Sequence, residues 1–327
     1  MTCKFSLIIP VYQVKDYIVQ CLESIFCQIP PDVQVILVDD GSTDGSGEIC
    51  DEYAKKYPQI EVIHQKNKGV AAARNAGLDA AKGEYLLWVD PDDWVSERWF
   101  LEIERAVDFY APDVIVFDSI RIGNKSRRKE VYGRASGFVD KEVFCCDLAR
   151  DIRMLSGFPN KVMRRSLYSG IRFDCSLGIL EDYEMIFAVL KNAQKIYYIQ
   201  NTLYFYRQHD TSLLHQREPE KSFLCVQIAE RRREMLDNRY KQAAEVGVVI
   251  QAFLYCRASA YDSRYTLDSE RYQYCKQLIH RHIRAMLRDK EIPFIWKIKF
   301  LFMDKSVLNY IVKVKHMIGC FLSTEIL

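Results

Sequence analysis

The sequence predicts an α/β protein whose first part is a mostly parallel, Rossmann-like sheet flanked by helices. Two observations indicate this class. Short apolar runs alternate with segments of helical periodicity up to about residue 118, and polar or acidic clusters follow several of the runs. From about residue 219 the pattern is almost only helical. We therefore expect two domains, a sheet domain at residues 1–215 and a helical subdomain at residues 216–327.

Five apolar runs predict the strands of this sheet. They are Phe5–Pro10, Val33–Val38, Ile60–His64, Tyr85–Val89 and Asp113–Phe117. The segments between them have helical spacing or, at residues 69–81, small residues that permit close packing on a sheet. Strands that alternate with helices predict right-handed crossover connections.

The alternation weakens after Asp118. Residues 121–137 are basic, polar and glycine-containing, which favours a loop or a short hairpin. The remaining elements predicted before residue 219 are helices near 140–155 and 181–191, on either side of the basic segment 160–165, and two short β-rich runs at 196–199 and 203–206. We therefore expect this stretch to complete the first domain.

Composition narrows the class of protein. Of the 327 residues, 49% are hydrophobic, which is enough for a sizeable core. The eleven cysteines are scattered and lack CxxC spacing, as is typical of thiols in a reducing cytosol. A strand that starts at Phe5 leaves no room for a signal peptide, and no uncharged apolar stretch nears the ~20 residues that span a bilayer. We expect a cytoplasmic protein, soluble or peripheral on the inner face of the cell membrane.

One predicted strand ends in an acidic corner, residues 90–93. The run Tyr85–Val89 is followed by Asp90, Pro91, Asp92 and Asp93. In an open parallel sheet the carboxyl ends of the strands form the ligand-binding edge, where Asp90 and Asp92 could direct oxygens at one hard cation. The same residues also suit a turn with a helix cap, so this motif alone leaves both interpretations open.

Polar or acidic clusters recur at the same predicted edge. They are Pro10-Val11-Tyr12, residues 39–44, Asn67 and Gly69 with Arg74-Asn75, and the acidic corner. Each has a structural alternative when taken alone, such as a helix cap at Ser42 or Asp44, a surface cation at Arg74 or a core ring at Tyr12. For Asp40 and Asp93, capping or hydrogen bonding to the loop is the favoured interpretation.

As an ordered set, these motifs resemble the family 2 glycosyltransferases of the bacterial surface-glycan type, which have the GT-A fold. The resemblance rests on residues 6–12 (SLIIPVY), 38–44 (VDDGSTD), 67–77 and 90–93, and it resumes near 160–212. It implies a UDP-sugar donor. Asp39 would accept a hydrogen bond from the imide of uracil, and Tyr12 would lie against the base.

The resemblance also implies roles for other residues near the donor. Pro10 and Val11 would line the nucleotide site and Arg74 would help to hold the nucleotide. Asp90, the first acid of the Asp-x-Asp motif, would contact the ribose. Asp92 would bind a divalent cation, Mn²⁺ or Mg²⁺, that bridges the diphosphate, because both ions suit oxygen ligands.

An acidic pair at the predicted start of a helix, Glu181-Asp182, carries the implied catalysis. By the resemblance, Asp182 is the general base and Glu181 a supporting residue. Direct displacement at the anomeric carbon needs a carboxylate opposite the leaving group, and the product would have inverted configuration. Acids are also favoured at a helix N-terminus by the helix dipole, so capping is the structural alternative.

The resemblance implies three further contacts. His209 would approach the metal. Lys161 and Arg207 would lie on the acceptor side, and for Arg207 an approach to the metal or diphosphate is also implied. A lone histidine is more often structural than a ligand, and basic residues at a strand end are commonly just solvated.

The C-terminal segment 291–318 interleaves apolar and aromatic residues with lysines. Residues 281–316 hold nine Lys or Arg against three Asp or Glu. This pattern predicts an interfacial helix that contacts anionic lipid; the alternatives are a helix packed on its own subdomain or a homodimer contact. The charge excess is modest and no nucleic-acid-binding module is recognisable, which argues against a nucleic acid partner.

We therefore predict a metal-dependent, inverting glycosyltransferase that moves a single sugar from a UDP-sugar to a hydroxyl of a glycan or polyprenyl-linked acceptor in bacterial surface polysaccharide synthesis. The Gln-x-x-Arg-Trp motif of processive synthases is absent, which favours one sugar per event. A catalytically silent sugar- or lipid-binding scaffold with the same fold is the alternative from another class. A nucleotidyltransferase would need a glycine-rich basic loop after the first strand, and residues 10–14 offer none.

Overall fold

The computed structural model describes residues 3–123, 127–151, 157–177, 181–208, 219–261 and 270–301. The chain divides into two compact units, Met1–Gln216 and Arg217–Leu327. The first unit contains the sheet and the second contains helices.

The strands of the first unit are β1 Phe5–Val11, β2 Gln34–Asp39, β3 Ile60–His64, β4 Tyr85–Trp88, β5 Trp94–Val95, β6 Val114–Ile122, β7 Arg127–Glu130, β8 Gly137–Val139, β9 Lys161–Arg164 and β10 Ile196–Arg207. They form one sheet in the order β3-β2-β1-β4-β9-β6-β10-β5, with β7 paired to β6 and β8 to β10. Strands β3, β2, β1 and β4 are parallel to one another, as are β6 and β10. The predicted α/β class with a mostly parallel central sheet is confirmed.

The register of the parallel strands brings their carboxyl ends together. Val11 of β1 lies opposite Asp39 of β2, and Asp39 lies opposite His64 of β3. All seven residues of β1 are buried, as expected for a strand covered on both faces. Polar residues that follow these strands therefore meet at one edge of the sheet.

The first unit's helices are α1 Lys15–Phe26, α2 Ser46–Lys56, α3 Val70–Ala80, α4 Trp99–Tyr110, α5 Lys141–Arg150 and α6 Glu181–Leu190. The small residues of α3 have the predicted role. A Cβ built on Gly77 would lie 2.3 Å from Ile8 Cγ2, so only glycine lets α3 approach β1 this closely.

The middle of the sheet differs from the prediction. Lys161–Arg164, expected only as a segment between helices, is the antiparallel strand β9 between β4 and β6. The two β-rich runs at 196–199 and 203–206 form the single strand β10, with register shifts between Ile199 and Tyr204. A short hairpin was predicted within residues 121–137, and β7 does pair antiparallel with β6. The helix predicted at 140–155 ends at Arg150, and residues 152–156 lie outside the described ranges.

The second unit contains α7 Pro219–Met235, α8 Lys241–Tyr261, α9 Glu270–Arg288 and α10 Phe294–Leu301. Helix α9 is strongly amphipathic and buries Cys275, Leu278 and Met286. Across the described part of the chain, each helix is either too short or too polar to cross a membrane.

Candidate active site

The loops after β1 and β2 are joined by side-chain hydrogen bonds. Gln13 Nε2 donates to Thr43 Oγ1 (3.0 Å), and Gln13 Oε1 accepts from the Thr43 N–H (3.2 Å). Gln13 has a left-handed backbone (φ 51°), which turns the chain sharply after Tyr12. Val11 is fully buried, whereas Tyr12 is 46% exposed and is therefore not a core ring. The Tyr12 ring is accessible at the position where a base is expected to stack.

The Asp39 carboxylate is oriented by two donors. Its Oδ1 accepts from the Ser42 N–H (2.9 Å), and its Oδ2 lies 2.9 Å from His64 Nδ1. His64 Nε2 is 3.0 Å from Asp51 Oδ1 on α2, so the imidazole bridges two carboxylates. These hydrogen bonds raise the pKa of His64 above its usual value. Asp39 is 6% exposed and reaches the edge in a fixed orientation.

Asp40 organises the neighbouring loop. Its Oδ1 accepts from Gln65 Nε2 (2.6 Å) and the Lys68 N–H (2.9 Å), and its Oδ2 accepts from the Gly69 N–H (2.8 Å). Asp40 is 2% exposed. This is the loop hydrogen bonding that the sequence favoured for Asp40, and it fixes the start of α3.

The side chains of Asp93 and Tyr204 shape the acidic corner. Asp93, 1% exposed, accepts from the Tyr204 hydroxyl (2.6 Å) and the Arg207 N–H (2.7 Å). The Tyr204 hydroxyl also accepts from the Asp90 N–H (3.1 Å). Burial, together with the charges of Asp92 and Asp90, raises the pKa of Asp93 well above its usual value. Asp93 is therefore a structural anchor that sets the backbone on which Asp90 and Asp92 sit.

Arg207, predicted on the acceptor side, packs against the acidic corner. Its Nε donates to the Asp92 carbonyl (2.7 Å) and its Nη2 to Gln20 Oε1 (2.5 Å). The guanidinium lies over the rings of Trp94 and Tyr17, at 4.6 and 5.2 Å from their centroids. The choice between the two implied contacts of Arg207, with the acceptor or with the diphosphate, stays a prediction.

Arg74 joins the acidic corner to the acidic pair of α6. Its Nη2 donates to Asp90 Oδ1 (3.1 Å) and its Nη1 donates to Glu181 Oε1. Arg74 is 6% exposed and Glu181 5%, which rules out the surface-cation alternative for Arg74. Burial raises the pKa of Glu181, and the Arg74 charge opposes that shift. The pairing brings residues separated by more than 100 positions to the same place.

Asp182 is half-buried at the start of α6, next to the chain segment that precedes β9. Its Oδ1 accepts from the Tyr183 N–H (2.7 Å). Its Oδ2 would lie 3.1 Å from a Cβ built on Gly157. Lys161, the first residue of β9, is completely buried, so the solvated-cation alternative does not apply to it.

Within the described ranges, no three His, Cys, Asp or Glu side chains are gathered closely enough to hold a metal ion by themselves. Asp92 is half-buried at the tip of the acidic corner and supplies one carboxylate. One or two carboxylates completed by substrate phosphates are the usual protein contribution to a Mg²⁺ site, so these residues fit a cation that arrives with the donor. His209, the other predicted metal contact, lies outside the described residues.

Two contributors to this edge were missed from the sequence, His64 and Tyr204. His64 is the last residue of β3 and lies directly across from Asp39, so the parallel β2–β3 register would have identified it. Tyr204 needs the long-range pairing of β10 with β5 before its hydroxyl can be placed at the corner. Tyr12 and Asp39 lie at this edge, and so does Arg74 with its two partners, Asp90 and Glu181.

The chain matches the family model described as "Glycosyl transferase family 2" over residues 6–180, more than half of its length. The chain belongs to glycosyl transferase family 2. This family 2 protein is 33% identical over 224 residues to glycosyltransferase GlyG of Streptococcus pneumoniae, with 64% of this chain and 72% of GlyG covered. It is 32% identical over 214 residues to the uncharacterized glycosyltransferase EpsJ of Bacillus subtilis, covering 64% of this chain and 62% of EpsJ.

Some relatives are much longer. The match covers 31% of S. pneumoniae GlyA and 23% of the minor teichoic acid biosynthesis protein GgaB of B. subtilis, each at 32% identity to this family 2 protein. The regions compared are therefore parts of those proteins.

Solved structures confirm the GT-A fold of this family 2 protein. Staphylococcus aureus TarS 1–349 in complex with UDP-GlcNAc superposes with a TM-score of 0.70 at 20% identity, covering 99% of this chain and 94% of TarS 1–349. Mannosyltransferase PcManGT from Pyrobaculum calidifontis, in complex with GDP-Man and Mn²⁺, has a TM-score of 0.55 at 16% identity, with 88% of each chain covered.

Proposed function

We propose that this protein is an inverting, metal-dependent glycosyltransferase. It moves a single sugar from a UDP-sugar to a hydroxyl of a glycan or lipid-linked glycan in bacterial surface polysaccharide synthesis. The observation that carries this proposal is the Arg74 bridge. It joins Asp90 of the acidic corner to Glu181, which immediately precedes the proposed base Asp182.

The donor end of the site suits a uridine nucleotide. Asp39 is buried and oriented by Ser42 and His64, and an ionised carboxylate accepts the imide hydrogen bond of uracil. Tyr12 exposes a ring for stacking on the base. The UDP-GlcNAc bound by TarS, which has the same fold, supports this choice of donor class.

The proposed chemistry is a direct displacement at the anomeric carbon. Asp182 takes the proton of the attacking hydroxyl, while Glu181 and Arg74 hold the start of α6 against the acidic corner. A Mn²⁺ or Mg²⁺ ion bound with Asp92 would stabilise the negative charge that develops on the departing diphosphate. Asp90, held by Arg74, remains beside the donor ribose.

The relatives and the C-terminal segment 291–318 support the proposed acceptor class. GgaB is named for minor teichoic acid biosynthesis, which supports a surface-glycan acceptor. In α10, Phe294 is 77% exposed and Ile295 53%, as suits an interfacial helix on anionic lipid. The rest of the predicted contact, residues 302–318, lies outside the described residues. We propose peripheral membrane association, which liposome flotation with and without residues 291–327 would test.

The function is tested by UDP release from a panel of UDP-sugars, with and without manganese, for wild type, Asp182→Asn and Asp92→Asn. We expect metal-dependent release from one donor. Asp182→Asn should keep UDP binding while release collapses, and Asp92→Asn should lose the metal dependence of nucleotide binding. Asp79→Asn, which changes an exposed carboxylate of α3, is the matched control.

Two outcomes would contradict these assignments. Near-normal release by Asp182→Asn would place the base elsewhere. If calorimetry shows UDP binding but no donor releases UDP, with or without an acceptor, the protein is a binding scaffold.

A further inference from the structure

Lys161 is a lysine without solvent contact, in the middle of the sheet. Its Nζ donates to the Gly157 carbonyl (2.6 Å) and to Asn160 Oδ1 (2.6 Å). Both acceptors belong to the turn that leads into β9. Because these bonds connect the ammonium to both ends of the turn, Lys161 fixes the conformation of residues 157–160.

The same turn touches Asp182. A Cβ built on Gly157 would be 3.1 Å from Asp182 Oδ2, which is tighter than nine in ten real contacts of a Cβ atom. The absence of a side chain at residue 157 therefore lets the Asp182 carboxylate lie close to the turn that Lys161 holds.

Lys161 is kept at this position against a desolvation cost. Burial lowers its pKa to about 7, while the charges of Asp182 on α6 and Glu130 on β7 act in the opposite direction. Glu130 is engaged by Arg121 (2.6 Å) on β6. In the register of the sheet, Lys161 lies opposite Val116 of β6.

We propose that Lys161 is a positioning residue for Asp182, holding the 157–160 turn against the carboxylate. This inference rests on the proposed function, in which Asp182 is the general base. A general base must lie within hydrogen-bond reach of the proton that it takes, so displacing the turn beside its carboxylate should slow the reaction. The hydrogen bonds of Lys161 hold the turn beside the proposed base, so we expect the loss of Lys161 to act on kcat rather than on UDP affinity.

The test compares Lys161→Met with Gly157→Ala and with the exposed-lysine control Lys129→Met. The readouts are metal-dependent UDP release and calorimetric UDP affinity at pH 7.5. We expect Lys161→Met and Gly157→Ala each to lower kcat ~10-fold with unchanged UDP affinity, because each displaces the carboxylate of the proposed base. Lys129→Met should change neither.

Thermal stability separates this role from a structural one. Since the folded-state pKa of Lys161 lies below its unfolded value, wild type loses stability as the pH falls from ~10.4 towards 7. Lys161→Met should therefore unfold at the same temperature as wild type or higher at pH 7.5. Should Lys161→Met not fold, Lys161→Gln serves the same comparison. A folded Lys161 variant with the wild-type kcat would overturn the proposal.

A second readout does not depend on activity. We expect the effects of Lys161→Met and Asp182→Asn on thermal stability to be non-additive in the double variant, because the 157–160 turn connects the two side chains. Additive effects would overturn the pairing. If wild type releases no UDP but the coupling is present, the proposed reaction fails while the Lys161–Asp182 interaction stands.

Discussion

Replacing Arg74 with methionine removes the cation that joins the acidic corner to α6. Methionine retains most of the apolar stem, so the main change is the loss of two ion pairs, to Asp90 and Glu181. Arg74 and Glu181 are each more than nine-tenths buried. Breaking a buried ion pair by removing one partner typically costs about 3 to 5 kcal/mol, because the other charge is left uncompensated.

This cost should depend on pH in a defined direction. Burial already raises the pKa of Glu181, and removing Arg74 removes the charge that opposes the shift. A carboxyl whose folded pKa lies above its unfolded value of ~4.3 contributes stability that is lost as the pH rises through the folded pKa. The deficit of Arg74→Met should therefore be larger at pH 8 than at pH 5.

Urea unfolding followed by tryptophan fluorescence measures the effect. In a Trp296→Phe background the remaining tryptophans, Trp88, Trp94 and Trp99, all report on the first unit. With a slope of about 3 kcal/mol per M urea, the midpoint should fall by roughly 1 to 2 M.

The matched control is Arg172→Met, which breaks an ion pair to Asp79 in which both partners are more than half exposed. Such surface pairs contribute about 0 to 1 kcal/mol. Adding Glu181→Gln to Arg74→Met should restore part of the loss. If Arg74→Met costs no more than the control, the bridge does not stabilise the fold and our account of the site is wrong.

Three further changes probe the edge and its support. His64→Gln removes the imidazole whose pKa is raised by its bonds to Asp39 and to a carboxylate of α2, so the loss of stability in thermal unfolding should be larger at pH 6 than at pH 9. The loss should be about 1 kcal/mol or less because His64 is half exposed. Tyr204→Phe removes the hydroxyl that donates to Asp93 and accepts from the Asp90 N–H. The loss should cost about 1 to 3 kcal/mol in urea unfolding and should weaken manganese-dependent UDP binding. Gly77→Ala places a methyl 2.3 Å from Ile8 Cγ2 and should cost about 1 to 3 kcal/mol by overpacking in the same assay.

Each of these expectations has a contrary result. A deficit of His64→Gln that is equal at both pH values would show that the imidazole is uncharged in its bridge. Wild-type UDP affinity in Tyr204→Phe would separate the corner from the nucleotide site. An unchanged urea midpoint for Gly77→Ala would mean that α3 moves away from β1 without loss.

The parallel part of the sheet could be predicted from local pattern because its strands are nearly continuous apolar runs. Phe5–Val11 is buried along its whole length and was identified within one residue at its end. The positions of Asp39 and the acidic corner followed, since each comes directly after a buried strand. The fold class and the family assignment required no more than these runs and their ordered motifs.

The rest depended on long-range pairing that local pattern does not encode. Strand β9 has four residues, two of them basic, and reads as strand only once β4 and β6 are known to flank it. The burial of Lys161 and the contact of Arg207 with the acidic corner follow from that pairing and from the second half of β10. The site-residue roles themselves stay predictions until the variants are measured.

The insertion of β9 has a consequence for synthesis on the ribosome. Strands β4 and β6 have no hydrogen bonds to each other; each pairs with β9, which is made some 40 residues after β6 ends. Until Arg164 has left the exit tunnel, a nascent chain can assemble β3-β2-β1-β4 but must present the free edge of β4. An exposed strand edge is a template for pairing with other chains, so the interval between residues 122 and 164 is when this polypeptide most needs a holding chaperone.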